Sequence, residues 1–218
     1  EQMQPGQTWV GSPALELPAR ETLHGFPDAL TFRPSRWRRL GRALVEAARI
    51  VMPLSLVIGA GYVIVGVEMP VAAEGEWLQL AFELGLAGIY YGVGCFLFVV
   101  ALKWLTIGRY RPRAAPMWTP FVWISEAVTS IYESIAVPNC LEYLRGTPML
   151  PVALRLLGVK IGRGVYLDTT DFTEFDCVHI GAYSELNALT CPQTHLFEDR
   201  VMKIDHVRIG SRVCLGPR

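Results

Sequence analysis

Two stretches of the chain carry no charge at all: Ile50 to Val67, 18 residues, and Leu84 to Leu102, 19 residues. At about 1.5 Å per residue each approaches the ~20 residues that span a bilayer core. A pair of buried helices in a soluble core is the competing reading. Gly59, Gly61, Gly85, Gly88, Gly92 and Gly94 weigh against it, because glycine weakens helices in water yet lets membrane helices approach closely, and Gly88 and Gly92 have the small-xxx-small spacing. Arg33, Arg36, Arg38, Arg39, Arg42 and Arg49 precede the first run, and Lys103, Arg109, Arg111 and Arg113 follow the second. The connector from Glu68 to Glu83 holds four Glu and no Lys or Arg. The positive-inside rule therefore predicts a two-span hairpin with both flanks cytoplasmic and the connector outside, and Trp37, Trp77 and Trp104 lie near the run ends, where indoles favour the headgroup region.

Beyond the second run, prolines at 112, 116, 120, 138, 148 and 151 punctuate short apolar-aromatic stretches. Between the prolines at 112–120 and Pro138, Val122, Ser125, Glu126 and Thr129 oppose Trp123, Ala127 and Ile131. That spacing predicts an amphipathic helix, lying either along the bilayer surface or against the following domain.

The pattern then changes period. Ile161-Gly-Arg-Gly-Val, Ile180-Gly-Ala-Tyr-Ser and Ile209-Gly-Ser-Arg-Val each read aliphatic, Gly, two variable positions, small or Val. This is the hexapeptide signature of a left-handed parallel β-helix, whose coil takes about 18 residues. The spacings are 19 and 29 residues, so the second coil is expected to carry an excursion from Cys191 to about Asp205. Trp9-Val-Gly-Ser-Pro-Ala reads either as the exit from an earlier β-helix or as an ordinary turn. The fold class is thus mixed: a two-span transmembrane α-helical hairpin followed by a left-handed β-helix. The expected divisions are 1–14, tail of a preceding β-helix; 15–43, linker and basic juxtamembrane segment; 44–106, hairpin; 107–157, amphipathic or interfacial segment; and 158–218, the start of a β-helix. With no initiator Met and a solenoid that stops after barely three coils, the sequence is expected to be a slice of a longer chain.

Composition agrees: 51% of residues are hydrophobic and 18% charged, and mean hydropathy is +0.30, wrong for an ordinary soluble domain. Twenty basic residues balance twenty acidic ones, which argues against a nucleic-acid binder. Five cysteines without CxxC or CxxH spacing signal neither a disulfide framework nor a zinc site, and no metal is expected. Cys177 and Cys191 read as structural thiols.

Four histidines are candidates for proton transfer: His24 in the linker, His179 and His206 flanking strands, and His195 in the excursion, where a base reaches substrate without breaking the β-helical wall. With a near-neutral pKa His195 suits a general base, and Glu198 or Asp199 is placed to orient it; a structural role for the loop is the alternative. Asp168, Asp171, Glu174 and Asp176 crowd nine positions. They read as a patch for a cationic amine or a metal, or as a solvated face. Arg200 and Lys203 are candidates for a phosphopantetheine phosphate, on charge alone.

The stretches Trp104-Leu-Thr-Ile-Gly-Arg-Tyr-Arg-Pro, Leu144-Arg-Gly-Thr-Pro, Leu156-Leu-Gly-Val-Lys-Ile-Gly-Arg, Tyr166-Leu-Asp-Thr-Thr-Asp-Phe-Thr-Glu-Phe-Asp and Gln193-Thr-His-Leu-Phe-Glu-Asp-Arg-Val-Met-Lys together resemble one family. It is the membrane-bound terminal region of nonribosomal peptide synthetases of the ε-poly-lysine synthetase type. The resemblance covers about Arg36 to Pro217. It implies an acyltransferase forming amide bonds between a carrier-tethered aminoacyl thioester and an amine, with His195 and Glu198 in catalysis and Asp168, Asp171 and Glu174 receiving the amine. It further implies phosphopantetheine on a carrier domain and ATP at an adenylation domain, both outside this sequence. Membrane lipid, the carrier and other β-helices of the same chain are the implied partners, and the inner (plasma) membrane the location, with the β-helix cytoplasmic. A membrane-anchored coenzyme A-dependent acetyltransferase and a non-catalytic scaffold are the alternatives.

Overall fold

A computed structural model describes residues 8–10, 15–17 and 25–217. Strands β1 (Thr8–Val10) and β2 (Leu15–Leu17) pair antiparallel, with Trp9 opposite Glu16. Most of the expected β-helix exit, from residue 11 to 14, and His24 lie outside the described residues.

Ser35 caps the first helix by accepting the Arg38 N–H at 3.4 Å, and α1 then runs from Arg36 to Glu74, 39 residues, through Pro53 and Pro70. It stops at Gly75, whose φ of 81° permits the left-handed C-terminal turn. Helix α2 (Trp77–Thr106) returns alongside it. Both are long and apolar enough to cross a membrane. Ile50, Leu54, Ile58 and Tyr62 of α1 are exposed over much of their surface, an arrangement that water penalises and lipid does not. Only the C-terminal half of α2 is packed, burying Cys95, Phe96, Val99 and Lys103. At Gly92 a Cβ would collide with the Asn139 carbonyl, so the small residue sets how closely the two backbones approach.

After strand β3 (Arg113–Pro116), helix α3 (Pro120–Ile131) begins with proline in its first turn, where the missing N–H costs nothing. It is packed on most of its circumference: Val122, Trp123, Ser125, Ala127, Val128 and Ile131 are all buried. A single π-helical turn, Tyr132–Ala136, follows, then the short α4 (Val137–Asn139) and, further on, α5 (Met149–Leu157), which Gly158 ends at φ 112°.

Six short strands then form two parallel ladders. In the first, β4 (Lys160–Ile161), β6 (Val178–Ile180) and β10 (Val207–Ile209) place Ile161, Ile180 and Ile209 side by side. In the second, β5 (Tyr166–Leu167), β7 (Glu185–Leu186) and β11 (Cys214–Leu215) stack Leu167, Leu186 and Leu215. Gly162 and Gly181 sit at the corners because a Cβ on Gly162 would lie 2.5 Å from the Ala182 nitrogen, and one on Gly181 would meet the Ser211 nitrogen.

The excursion is an antiparallel hairpin, β8 (His195–Glu198) and β9 (Val201–Ile204), turning through Asp199 and Arg200, both at positive φ as a two-residue hairpin turn requires. β9 also pairs with β3, and Val201, Met202 and Ile204 are buried, so the hairpin clamps the strand region onto the helices. The second clamp is ionic: Lys103, fully buried near the end of α2, donates to Asp176 Oδ2 at 2.6 Å, and the Tyr110 N–H reaches the same oxygen at 3.0 Å. A buried pair of this kind is no guarantee of net stability, yet losing one partner strands a charge and costs about 3–5 kcal/mol.

Candidate active site

Residues 168 to 176 do not form one acidic face. The backbone buries Phe172 and Phe175, takes φ 24° at Glu174 and enters a 3₁₀ turn (Phe175–Cys177), which breaks the strand alternation that a shared face needs. Each carboxylate goes elsewhere. Asp168 faces Arg145 (3.1 Å), Asp171 is exposed, and Asp176 holds Lys103. Glu174 points inward, is 1% exposed, and accepts from Thr194 Oγ1 (2.6 Å) and from His195 Nδ1 (2.8 Å) through one oxygen, Oε2. A non-glycine residue held at positive φ is strained, and such strain concentrates where a side chain is being aimed.

The partner of His195 is therefore Glu174, 21 residues upstream, and not Glu198. On β8, positions 195 and 198 fall on opposite faces, and Glu198 instead receives Lys203 Nζ at 2.8 Å across the hairpin. That pair engages Lys203, and Arg200 stands over the Phe32 ring at 5.8 Å. The two cations are thus turned to different partners, and the expected phosphate site at Arg200 and Lys203 is not assembled. Cys177 is fully buried and its thiol is pushed up to about 11 by burial and by nearby Glu174 and Asp176, the surroundings of a structural thiol.

Because a carboxylate only accepts, the bond to Glu174 fixes the proton of neutral His195 on Nδ1 and leaves Nε2 as the acceptor. The same bond raises the imidazole pKa above its usual value, against the opposing effect of burial, with the charges of Glu174 and Glu126 adding to the rise. Phe197 holds the ring edge-on at 5.5 Å.

The imidazole and Glu174 line a cavity of about 270 Å³ whose other wall is α3 and the π turn: Ser125, Glu126, Thr129, Ser130 and Glu133, with Arg49 of α1 at its rim. Glu126 is half-buried and its carboxyl is raised by burial, an effect that Arg42 at 3.1 Å offsets. Glu133 is raised too, by burial and then by Asp171. Glu126, Thr129, Ser130 and Glu133 follow the i, i+3, i+4, i+7 spacing of one helical face, so the wall runs from α3 into the first residues of the π turn. Sequence periodicity had placed Glu126 and Thr129 on a polar face, but no local signal tied that face to His195. Among the described residues no group of three or more His, Cys, Asp or Glu is arranged to hold a metal ion.

The site therefore consists of a buried carboxylate, an imidazole with one nitrogen fixed and the other available, and a small cavity with acidic walls. The chain is 58% identical over 217 residues to a delta-poly-L-ornithine synthetase of Acinetobacter baumannii (strain AB307-0294), a match that takes in the whole of this chain and 16% of the relative. The chain is thus similar, end to end, to one segment of a poly-amino-acid synthetase. No family model matches it, and no solved structure does.

Proposed function

We propose that this chain is the membrane-hairpin and acyltransferase segment of a poly-amino-acid synthetase, and that it forms amide bonds in a cationic homopolymer. The observation that carries the reading is the Glu174–His195 pair opening onto the cavity walled by Glu126 and Glu133. His195 Nε2 takes the proton as the acceptor amine attacks the carbonyl of a carrier-tethered aminoacyl thioester. The C–N bond forms, the C–S bond breaks, and the leaving thiolate takes up the proton. The acidic wall suits an acceptor whose other amine stays protonated, and the 58% identity to a poly-ornithine synthetase supports that choice of substrate class.

In this reading the two parallel ladders are two of the three faces of a left-handed β-helix, supported by the in-register isoleucines and the corner glycines. α1 and α2 cross the inner membrane with the β-helix in the cytoplasm, as the arginine-rich flanks and the acidic connector favour. The thioester is delivered by a carrier domain elsewhere in the polypeptide.

The test is His195→Ala in the full-length protein. Carrier loading, read as a mass shift on the carrier, should be unchanged, and amide formation should fall by about 10²–10⁴-fold, the usual worth of a placed general base. Wild-type polymer output from a folded variant would overturn the assignment.

A further inference from the structure

The first ladder carries an arrangement that the chemistry above does not use. Lys160, His179 and Arg208 occupy one row across β4, β6 and β10, each directly opposite the next. Adjacent strands lie about 4.8 Å apart, so Lys160 and Arg208, on either side of His179, are two like charges only about two strand spacings from one another. Yet among the described residues neither Lys160 nor Arg208 is paired with a carboxylate, and His179 Nε2 is buried with no hydrogen-bond partner. Burial and the neighbouring cations hold the His179 imidazole below its usual pKa, so it stays neutral between two charges. The row lines a groove of about 510 Å³ that shares Arg155 and Lys160 with a second cavity of about 500 Å³ at the foot of α2.

That second cavity adds Arg109, Arg111 and His206 to its walls, beside Trp104. Its one carboxylate, Asp176, is shared: Oδ2 holds Lys103 at 2.6 Å and Oδ1 lies 3.9 Å from Arg109, which leaves Arg111, Lys160 and Arg208 without a carboxylate partner among the described residues. Arg155 is fixed on the Ile161 and Gly162 carbonyls, so it forms a rigid positive wall. Trp104 and the 86% exposed Leu105 belong to the last turn of α2, the level at which indoles and basic side chains meet headgroups.

We infer that this continuous basic groove, from Arg109 and Arg111 to Lys160 and Arg208, binds the headgroup of an anionic phospholipid at the cytoplasmic end of the second span. The phosphate sits between Arg111, just beyond the end of α2, and Lys160 and supplies the counter-charge that the row lacks, and the acyl chains lie along the exposed apolar side of α2. The inference is independent of the chemistry assigned to His195, which lies on the separate hairpin.

The test uses full-length protein in detergent, titrated with phosphatidylglycerol or phosphatidylcholine and read by native mass spectrometry. Wild type should retain phosphatidylglycerol at least about tenfold more tightly than phosphatidylcholine, and the R111A/K160A/R208A variant should lose that preference. The single variant R208Q, at an exposed position, should weaken it partially should the triple variant fail to fold. Equal retention of the two lipids by wild type, an unchanged preference in both variants, or displacement of the lipid by free phosphopantetheine more readily than by glycerophosphoglycerol would each overturn the proposal.

Discussion

Replacing Glu174 by Gln keeps the shape of the buried side chain and removes its charge, so it isolates what that charge does for His195. In the native site one oxygen accepts from Thr194 at 2.6 Å and from His195 at 2.8 Å. Hydrogen bonds to a charged group contribute about 1.5–3 kcal/mol and neutral ones about 0.5–1.5, so the imidazole loses on the order of 1–1.5 kcal/mol of orientation and of stabilisation of its protonated form. That predicts a plateau rate about tenfold lower. The pH dependence moves in a defined direction. Glu174 is the main cause of the raised His195 pKa, and burial opposes it; without that charge only the smaller effect of Glu126 is left against burial, and the pKa falls. The base must be neutral to act, so the acid limb of kcat/KM should shift to lower pH in the variant even as the plateau drops. Stability follows the same sign. A pair with a raised histidine pKa stabilises the fold fully below the unfolded value and loses that contribution as pH rises through the folded one, and the variant should lack this dependence. The assay is amide formation by full-length enzyme from pH 5.5 to 9. An acid limb that stays put or moves upward would refute the role given to Glu174.

Asp176→Asn should destabilise the protein by about 3–5 kcal/mol by stranding buried Lys103, whereas Lys103→Met with Asp176→Leu should recover most of the loss; thermal unfolding in detergent measures both, and an unshifted Tm for the single variant would contradict the account. Gly181→Ala forces a methyl against the Ser211 backbone and should cost at least about 1–3 kcal/mol, while Gly210→Ala, whose nearest neighbour would be a Val213 methyl at 3.6 Å, should be far milder. Because α1 is exposed along its apolar run, the protein should leave membranes only with detergent, and release by high salt or alkaline wash would sink the membrane reading.

The two apolar helices were legible because eighteen uncharged residues leave few alternatives, and Ile161, Ile180 and Ile209 announced their alignment through a repeat. Local patterns fail where partners are distant. Glu198 is three residues from His195 and looked like its companion, yet strand geometry turns it away, and a bend at Glu174 supplies the carboxylate from 21 residues upstream. The acidic run from Asp168 to Asp176 looked like one surface because strand alternation was assumed through a stretch that turns. Glu126, Thr129, Ser130 and Glu133 share one helical face by their spacing, but nothing local showed that His195 lies across from it. The basic row on the first ladder was hidden for the same reason: Lys160, His179 and Arg208 are neighbours only after the coils stack.

On the proposed membrane reading, the length of α1 would couple the His195 cavity to the bilayer mechanically. Thirty-nine residues in one helix measure about 58 Å, roughly twice the hydrocarbon thickness, so a spanning α1 would leave a helical stub outside the bilayer with Arg42 and Arg49 on it. Arg42 grips Glu126 and Arg49 stands at the cavity rim. A tilt of such a span to match a thicker or thinner membrane would be carried along the helix to the acidic wall facing His195. Acyl-chain length in the surrounding lipid would thereby become a control on the geometry of the Glu174–His195 pair and its cavity, a setting that a soluble fragment would not possess.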